Sequence, residues 1–427
     1  MDILVVGGGG REHAVVRKLS MSQRVGKVYC APGNAGIAAL AECFDVAATD
    51  MEGMVALAKK LEVDCVFVAP DDPLVMGMVD RMNAEGIRAF GPSKAAAIIE
   101  GSKVFSKEFM KKHSIPSAKY EVFDSSAKAV EYVKLQNSYP VVIKADGLAL
   151  GKGVIIAESF EDAEKGILSI MEDKVFGESG NNIVIEEFLT GPEVSVLSFT
   201  DGKTVRPMLS SMDHKRALDG NRGLNTGGMG VIAPNPYFTE ELADRCMEEI
   251  FLPTVKNMAK EGRKFKGCLY FGLMLTENGP KVIEYNCRFG DPEAQAVLHM
   301  LDSDFIDIID AVIDERLSDI DISWREGASA CVIMASGGYP EKYAKGVEIS
   351  GLDEDGQLEG VTVYHAGTAF KDGKTVTNGG RVLGVTAEGA TLSEALKKAY
   401  EGVSAIEFDK AHYRTDIGRS AMDIVDR

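Results

Sequence analysis

Short apolar runs alternate with longer amphipathic segments over residues 1–101. Strands joined by helices of about ten residues are typical of a doubly wound parallel sheet, whose ligands bind beyond the carboxyl ends of the strands. We therefore predict an amino-terminal α/β domain here. The predicted strands are 3–6, 27–30, 65–69 and 87–90, and the predicted helices are 11–19, 54–61 and 74–84.

The pattern changes beyond residue 101, where several strands follow one another closely. This pattern indicates an α+β domain, which we place at 102–300. A connecting helix is predicted within 301–328, and a small α/β domain at 329–427, so the fold class is a multidomain combination of α/β and α+β units. The predicted strands are 139–144, 153–156, 183–189, 193–200, 329–335, 361–365 and 381–386, and the predicted helices are 103–113, 305–317 and 392–406.

The composition is that of an ordinary soluble globular protein, with 45% hydrophobic and 26% charged residues among 427. A net charge of −18 argues against nucleic-acid binding, which needs a basic surface. Seven cysteines without a C-x-x-C pair indicate reduced thiols in the cytoplasm and disfavour a structural zinc site. Because no apolar run approaches about 18 residues and the chain begins with a strand instead of a signal peptide, we expect no membrane association.

A polar face on the predicted strand around residue 284 is the most informative chemical feature of the chain. Alternate side chains of a strand share a face, so Glu284, Asn286 and Arg288 point the same way. Carboxylate and amide oxygens suit Mg²⁺, which usually keeps phosphates in its shell, and arginine can hold a phosphate or carboxylate through two hydrogen bonds. The segment therefore indicates chemistry on a nucleoside triphosphate. The alternative is an exposed edge strand whose polar face meets only water.

Residues 7–10 are four consecutive glycines between the first strand and the first helix. Backbone amides at a helix N-terminus form an anion site, and this one resembles a dinucleotide fingerprint. The fingerprint fails because Glu12 occupies the third glycine position and no acid follows the second strand. A phosphorylated small substrate therefore fits better than NAD, and the turns at 31–36 and 69–74 are expected at the same rim. The alternative is that these glycines only permit tight packing.

Lys144 ends a predicted strand and precedes a glycine-rich turn at 147–153. A lysine buried at a strand end needs an anionic partner, and the turn can close over phosphates although it is not a Walker A loop. Glu186 and Glu187 end another strand, whose extended backbone could hydrogen-bond an adenine edge, while Glu193 could hold ribose hydroxyls. The alternative for Lys144 is a hairpin turn with a side chain that reaches solvent.

A charged cluster at 213–216 precedes a glycine-rich loop at 225–230 that is flexible enough to cover a site. His214 within this cluster could act as a general base. A lone histidine between charged neighbours is more often a surface or hydrogen-bonding residue, and we favour that interpretation.

The order of these features resembles that of ATP-grasp ligases: a lysine on a helix, a lysine on a strand, an acid pair, a glycine loop and a Glu-x-Asn strand. More narrowly, the segment Arg-Phe-Gly-Asp-Pro-Glu-Ala-Gln at 288–295 looks like the signature of the phosphoribosylamine–glycine ligase (glycinamide ribonucleotide synthetase) family. The resemblance covers essentially the whole chain. The other motifs that carry it are 7–14, 146–153, 213–216, 225–230, 364–368 and 377–381.

The resemblance implies a central ATP-grasp fold with a lid at about 120–190, ATP as co-substrate and Mg²⁺ or Mn²⁺ as cofactor. It also implies that a monomer ligates glycine to 5-phosphoribosylamine through a glycyl phosphate in purine biosynthesis. The implied ATP-binding residues are Lys103, Lys144, Gly151, Lys152, Gly153, Glu186, Glu187, Leu189 and Glu193, and the implied metal ligands are Glu284 and Asn286. The implied residues around phosphoribosylamine are Gly9, Gly10, Asn34 and Asp71, and those around glycine and its acyl phosphate are Asp213, Arg288 and Glu293.

The chain departs from the family pattern at one turn, and the sequence leaves several rival functions to be considered. Asp71 stands where family members usually carry glutamate, in an Ala-Pro-Asp turn instead of Gly-Pro-Glu. The rivals are another ATP-grasp enzyme, such as a biotin carboxylase or a formate-dependent ribonucleotide transformylase, a non-catalytic nucleotide sensor, and an NAD-dependent oxidoreductase. The segment 288–293 favours the glycine ligase over the other ATP-grasp enzymes.

Overall fold

The structure, a computed structural model, describes residues 1–148 and 153–425. Its first strands are β1 (Ile3–Gly7), β2 (Val28–Pro32), β3 (Glu42–Cys43), β4 (Cys65–Val68) and β5 (Arg88–Phe90). The accompanying helices are α1 (Gly10–Ser20), α2 (Met51–Lys60), α3 (Asp71–Met76), α4 (Met78–Ala84) and α5 (Lys94–Gly101). All five strands are parallel, in the order β3-β2-β1-β4-β5, which confirms the predicted doubly wound sheet.

Alternate residues of β1 pack into two different cores. Ile3 and Val5 belong to a cluster that also includes Phe305 from far along the chain. Leu4 and Val6 belong to a second cluster on the opposite face of the sheet. A strand buried on both faces is a continuous apolar run in the sequence, which is why the pattern alone located it.

Three details of this unit differ from the sequence prediction, the first of which is that the helix α5 was not predicted. The helix predicted at 74–84 is two helices, because Gly77 adopts a left-handed φ of +99° and ends α3. The strand β3 was not predicted, because two residues at a sheet edge are too few to produce an apolar period.

The next unit carries an antiparallel sheet in the order β6-β9-β7-β8. Its elements are α6 (Lys103–Lys112), β6 (Tyr120–Phe123), α7 (Ser126–Gln136), β7 (Val141–Ala145), β8 (Val154–Ala157), α8 (Phe160–Met171) and β9 (Ile183–Glu187). Ile143 and Ile185 lie on one face, in an apolar cluster with residues of α7 and α8. Because side chains alternate along a strand, Lys144 and Glu186 lie on the opposite face.

A second antiparallel sheet has the order β11-β10-β16-β17. The elements of this region are β10 (Glu193–Thr200), β11 (Val205–Pro207), β12 (Met212–Asp213), β13 (Arg216–Leu218), β14 (Arg222–Asn225), β15 (Gly230–Ala233), α9 (Glu240–Cys246), α10 (Leu252–Lys260), β16 (Gly267–Thr276), β17 (Gly279–Asn286), α11 (Glu293–Val297) and α12 (Phe305–Ile313).

The last of these helices is shorter than the sequence predicted. The helix predicted at 305–317 ends at Ile313, close to Glu315, which adopts a left-handed φ of +57°.

The last part of the chain forms a third antiparallel sheet, in the order β12-β15-β18-β22-β19. Its remaining elements are β18 (Ala328–Ala335), β19 (Thr362–His365), β20 (Thr368–Lys371), β21 (Lys374–Thr377), β22 (Arg381–Gly389), α13 (Leu392–Ala405) and α14 (Arg419–Val425). Two of its strands, β12 and β15, belong to the segment that follows β11, so this sheet combines strands from the middle and from the end of the chain. The carboxy-terminal strands are therefore held against the region that carries the charged cluster at 213–216.

All seven cysteines are free thiols, and every one except the half-buried Cys43 is buried. In the described part of the chain, no helix combines the length and the apolar character needed to cross a membrane.

Candidate active site

A cavity of about 740 Å³ lies where the two sheets that contain β7 and β17 face each other. It gathers most of the residues that the sequence analysis selected, whereas Gly9, Gly10 and Asn34 lie elsewhere. Gly151 and Lys152 lie outside the described residues. The selected residues at the cavity wall are Asp71, Lys103, Lys144, Gly153, Glu186, Glu187, Leu189, Glu193, Asp213, Glu284, Asn286, Arg288 and Glu293.

The lysine near the end of β7 has the anionic partner that its burial requires. Lys144 Nζ lies 3.0 Å from Glu186 Oε1 and donates to the Ile283 carbonyl at 3.0 Å. Burial raises the pKa of Glu186, but Lys144 and Lys107 outweigh it and hold that pKa below its ordinary value. The Lys144 ammonium is thus fixed at the cavity wall, where it can meet an anion.

Lys103 connects the first turn of α6 to the beginning of the glycine-rich turn. Its Nζ donates to the Gly147 carbonyl at 2.8 Å. Ser102, which caps the helix, donates to Asp146 Oδ1 at 2.9 Å. Burial lowers the pKa of Lys103. These contacts place a second ammonium group beside the turn that the sequence predicted to fold over phosphates.

Glu284 and Asn286 share one face of β17 at the cavity wall, as the strand alternation predicted. Burial raises the pKa of Glu284, but the neighbouring lysines, above all Lys215, outweigh it and lower the pKa to about 2. The side chain nevertheless keeps 34% of its surface exposed to the cavity. An ionised carboxylate beside an amide oxygen is a donor set that fits a hard divalent cation.

The protein supplies only part of the coordination shell for such a cation. Within residues 1–148 and 153–425, no group of three His, Cys, Asp or Glu side chains is arranged to hold a metal ion. A cation at Glu284 and Asn286 would therefore complete its shell with phosphate and water oxygens, as Mg²⁺ commonly does. The donor set fits a metal that is bound together with a nucleotide.

Lys215 is a site residue that the sequence analysis did not select. It lies between β12 and β13, and its Nζ is 3.2 Å from Glu193 Oε2 and 3.6 Å from Glu284 Oε1. Glu193 contributes most to raising the pKa of Lys215 well above its ordinary value. The available signal was the charged cluster at 213–216, in which this lysine directly follows the histidine that the sequence suggested as a base.

Asp213, which is half-buried, and Glu293, which is buried, are two acidic side chains at the cavity wall. Among the described residues, Asp213 Oδ1 has no hydrogen-bond partner, while Glu293 Oε1 accepts from Ser195 Oγ at 3.3 Å. Burial, and next the charge of Glu293, raise the pKa of Asp213 well above its ordinary value. Two acids placed in this way are complementary to a cation or a proton donor in the cavity.

Arg288 is held between two acids at the other end of the site. Its Nη2 lies 3.2 Å from Glu100 Oε1 and 3.9 Å from Asp71 Oδ2, and it donates to Asn286 Oδ1 at 3.3 Å. Burial raises the pKa of Asp71, but Arg288, Arg11 and backbone hydrogen bonds together outweigh it, and the pKa is lowered. The predicted substrate contact Asp71 is therefore linked to the metal-ligand strand through this guanidinium.

Three family models match the chain in succession. The phosphoribosylglycinamide synthetase N domain matches residues 1–100, the ATP-grasp (A) domain of the same synthetase matches 101–294, and its C domain matches 329–420. A phosphoribosylamine–glycine ligase from Clostridium acetobutylicum is 48% identical over 420 residues, which are 98% of this chain and 100% of that protein. The chain belongs to the phosphoribosylglycinamide synthetase family.

Solved structures agree with this membership. The crystal structure of phosphoribosylamine–glycine ligase from Thermotoga maritima has a TM-score of 0.85 and 34% identity, and the match covers 97% of this chain and 100% of that one. A biotin carboxylase–ATP complex from Campylobacter jejuni has a TM-score of 0.74 at 15% identity, over 96% of this chain and 92% of that one. The second likeness shows the fold alone, so the biotin carboxylase alternative has no support beyond the shared ATP-grasp architecture.

In this member of the family, the predicted amino-terminal contacts lie beside the carboxy-terminal unit. Asn34 Nδ2 donates to the carbonyls of Gly8 at 2.9 Å and His365 at 2.8 Å. The Gly9 N–H donates to Glu12 Oε2 at 2.6 Å. A Cβ on Gly10 would lie 2.4 Å from Gln295 Nε2, so a side chain at this position would require Gln295, in the signature segment, to move. The role of these residues toward phosphoribosylamine stays a prediction.

Arg381 is a second residue at this site that the sequence analysis passed over, although it ends the motif at 377–381. Its Nη1 donates to the Gly227 carbonyl at 2.8 Å and the Asp291 carbonyl at 2.7 Å, and its Nη2 lies 3.4 Å from Asp291 Oδ1. The carboxy-terminal unit thereby holds both the glycine-rich loop at 225–230 and the signature segment. No sequence pattern could have joined residues so far apart along the chain.

His214 is a buried hydrogen-bonding residue, which agrees with the favoured interpretation and leaves it no role as a base. Its Nε2 accepts from the Gly418 N–H at 3.0 Å, and its Nδ1 lies 3.2 Å from the Gly230 carbonyl. Burial lowers the pKa of His214 to about 4. Both ring nitrogens are occupied by backbone groups that connect β12 to β15 and to the turn before α14.

Buried neutral histidines predict that the folded chain loses stability in mild acid. Burial lowers the pKa of each, to about 4 for His214 and about 3 for His299, whereas an unfolded histidine titrates near about 6.5. The unfolded state therefore binds more protons, and stability falls as the pH drops below about 6.5. We expect the free energy of unfolding in urea to be at least about 2 kcal/mol lower at pH 5 than at pH 7.5. The histidines concerned are His13, His214, His299 and His365.

The variant His214→Gln checks the cause of this effect. Removing one of the titrating groups should make the loss of stability between pH 7.5 and pH 5 smaller than in the wild type. An unchanged pH dependence in this variant would contradict the assignment of the acid sensitivity to buried histidines.

Proposed function

We propose that this chain joins glycine to 5-phosphoribosylamine through a glycyl phosphate, giving glycinamide ribonucleotide, ADP and phosphate. Family membership makes it an ATP-dependent ligase of the glycinamide ribonucleotide step of purine biosynthesis. The observation that carries the assignment to this cavity is the convergence of Lys144, the Glu284–Asn286 pair and Arg288 at one wall. These groups provide a cation for phosphates, oxygens for a metal and a guanidinium for a carboxylate or phosphate.

A carboxylate does not react with an amine at neutral pH because its leaving group is oxide, whereas a glycyl phosphate reacts because its leaving group is phosphate. A carboxylate oxygen of glycine attacks the γ-phosphorus of ATP, and the bond to ADP breaks. The amine of phosphoribosylamine then attacks the glycyl carbon, the bond to phosphate breaks, and the amine loses a proton. No protein nucleophile is needed, so the residues act by positioning, by neutralising charge and by excluding water.

The proposed ATP site uses the groups on both sheets. Lys103 and Lys144 would contact phosphates, and the turn at 147–153, which includes Gly151, Lys152 and Gly153, would cover them. Glu186, Glu187 and Leu189 would border adenine, and Glu193 would bind ribose hydroxyls. Glu187 is exposed enough for this role, since its side chain keeps 35% of its surface accessible.

The ATP-grasp fold implies a divalent metal, and we propose Mg²⁺ or Mn²⁺ held by Glu284 and Asn286. Bound there with the nucleotide, the cation would neutralise phosphate charge. Lys215 now pairs with Glu193 and Glu284, so nucleotide and metal binding would free this lysine to meet a phosphate oxygen. The protein residues are therefore already charged and oriented for the nucleotide.

Glycine is a zwitterion, and the far end of the cavity offers both complementary charges. Its ammonium group would relieve the repulsion between Asp213 and Glu293, and its carboxylate would face Arg288. Phosphoribosylamine would bind toward the amino-terminal unit, at Gly9, Gly10, Asn34 and Asp71. We further propose that the monomer is the working unit, because one chain supplies all of these residues.

ADP release with Mg²⁺-ATP tests the proposed function. We expect turnover that requires both glycine and phosphoribosylamine generated in the assay, and background rates when either is omitted. Turnover that is indifferent to glycine but supported by bicarbonate or formate would overturn the substrate assignment. Absence of turnover with every carboxylate, despite ATP binding, would indicate a nucleotide sensor.

A further inference from the structure

The helix α6 buries a second lysine that the proposed mechanism does not use. Lys107 follows Lys103 by one helical turn, so both side chains lie on the same face. Only 2% of the residue is exposed, and its Nζ donates to Glu186 Oε2 at 2.8 Å. Lysine is seldom buried to this extent unless it is paired with an acid, because its charge is costly to remove from water.

Glu186 joins this lysine to the one at the phosphate site. One carboxylate oxygen contacts Lys107 at 2.8 Å and the other lies 3.0 Å from Lys144 Nζ. Lys144 also donates one N–H to the Ile283 carbonyl. An ammonium group has three N–H groups, so at least one remains that can be directed at a phosphate. The buried triplet of Lys107, Glu186 and Lys144 carries one net positive charge at the cavity wall.

We propose that Lys107 is a positioning residue for ATP, which holds Glu186 so that Lys144 presents its ammonium group to the nucleotide phosphates. This inference rests on the proposed function, because it needs Lys144 to bind ATP. Without the charge of Lys107, Glu186 and Lys144 would form a neutral pair, and Glu186 would compete with phosphate for the Lys144 ammonium. The net charge that attracts the nucleotide would fall from +1 to 0.

A pH dependence of ATP binding follows from the same arrangement. The charged groups that face Lys107 are Glu186 and Glu187 on β9 and Lys144 on β7. Burial lowers the pKa of Lys107 to about 8, although Glu186 opposes this effect. The positioning charge is therefore present at neutral pH and is lost as the pH rises above about 8, so the KM for ATP should rise there.

The variants Lys107→Met and Lys107→Arg test the proposal in the full chain, with Lys111→Met as the control, because Lys111 is an exposed lysine one turn further along the same helix. We expect Lys107→Met to raise the KM for ATP about tenfold while kcat changes less than about threefold. Lys107→Arg should restore the KM to within about threefold and remove its rise above pH 8, since arginine stays charged. Lys111→Met should behave as the wild type.

A double-mutant cycle with Glu186→Gln keeps the proposal open to refutation even if one variant folds poorly. Because Lys107 acts through Glu186, Lys107→Met should raise the KM for ATP less than about threefold when Glu186 is already glutamine. An equal effect in both backgrounds would overturn the proposal, since Lys107 would then contact ATP directly. A lowered melting temperature with a wild-type KM would also overturn it, because the role would be structural only.

The variant Lys144→Met separates this inference from the proposed function. A large rise in the KM for ATP in Lys144→Met, without a rise in Lys107→Met, would refute the role of Lys107 and leave the proposed ATP site intact. An unchanged KM in Lys144→Met would refute both the ATP role of Lys144 and the inference that depends on it.

Discussion

Replacing Glu284 with glutamine is expected to reduce the rate of ADP formation by roughly 10²–10³-fold. The carboxylate is the only full negative charge in the proposed metal-ligand pair, and it is ionised throughout the neutral range because its pKa lies at about 2. A neutral amide keeps the shape of the side chain but binds a hard cation less tightly. The measurement is ADP release at saturating glycine and phosphoribosylamine over a range of Mg²⁺ concentrations.

The control for this variant is Glu277→Gln, which neutralises an exposed acid in the turn that precedes β17. It should keep wild-type turnover, because it changes the net charge equally without touching the cavity. If Glu284→Gln kept wild-type turnover at low Mg²⁺ concentration, the metal would have to bind elsewhere. The loss of Glu284 should also make acid unfolding shallower, since a lowered folded pKa provides stability that disappears as the pH falls from about 4.3 toward 2.

The sequence predicted the elements of this site better than their arrangement. Strand alternation alone placed Glu284 and Asn286 on one face, because the period of a strand is a local property of the backbone. The cost of burying a charge predicted that Lys144 has an anionic partner, but it could not identify that partner as Glu186. Its identity depends on the register in which β7 pairs with β9, which places Val142 opposite Glu186.

The residues that were missed are those whose role arises from contacts between distant segments. Arg381 reaches the glycine-rich loop from the start of β22, and Lys215 reaches Glu193 and Glu284 from the turn after β12. In the sequence, Lys107 is one of several lysines on a charged helix, and only the packing of α6 against β9 shows that it is buried. Local patterns cannot contain this information, because burial is decided by the partner element.

The sheet topology shows the same division between local and distant information. The parallel sheet was predictable because its strands other than the two-residue β3 are short, largely apolar runs between helices. The third sheet was not, because it combines β12 and β15 with strands that follow residue 327. Its order is decided by the pairing of Val231 with Cys331, across about a quarter of the chain.

Arg288→Met is expected to destabilise the fold by about 3 kcal/mol or more and to abolish turnover. The substitution would remove the charged partner of a buried acid, because Glu100 is 8% exposed and its Oε1 lies 3.2 Å from Arg288 Nη2. Burial already raises the pKa of Glu100 even though Arg288 opposes it, so removal of the cation would leave a buried carboxyl group without its partner. Urea unfolding measures the first effect and ADP release the second.

The double variant Arg288→Met/Glu100→Gln separates the structural role of Arg288 from its proposed role toward substrate. A neutral amide at position 100 can still accept the Cys287 N–H, which now donates to Glu100 Oε2 at 2.6 Å. Replacing both charges of a buried pair is often nearly neutral, so we expect stability within about 1 kcal/mol of the wild type. Turnover should nevertheless stay at least about a hundredfold below wild type, because the guanidinium that is proposed to hold the carboxylate or acyl phosphate is absent. Recovery of turnover together with stability would mean that Arg288 serves the fold alone, and the glycine site would then have to be placed nearer Lys215.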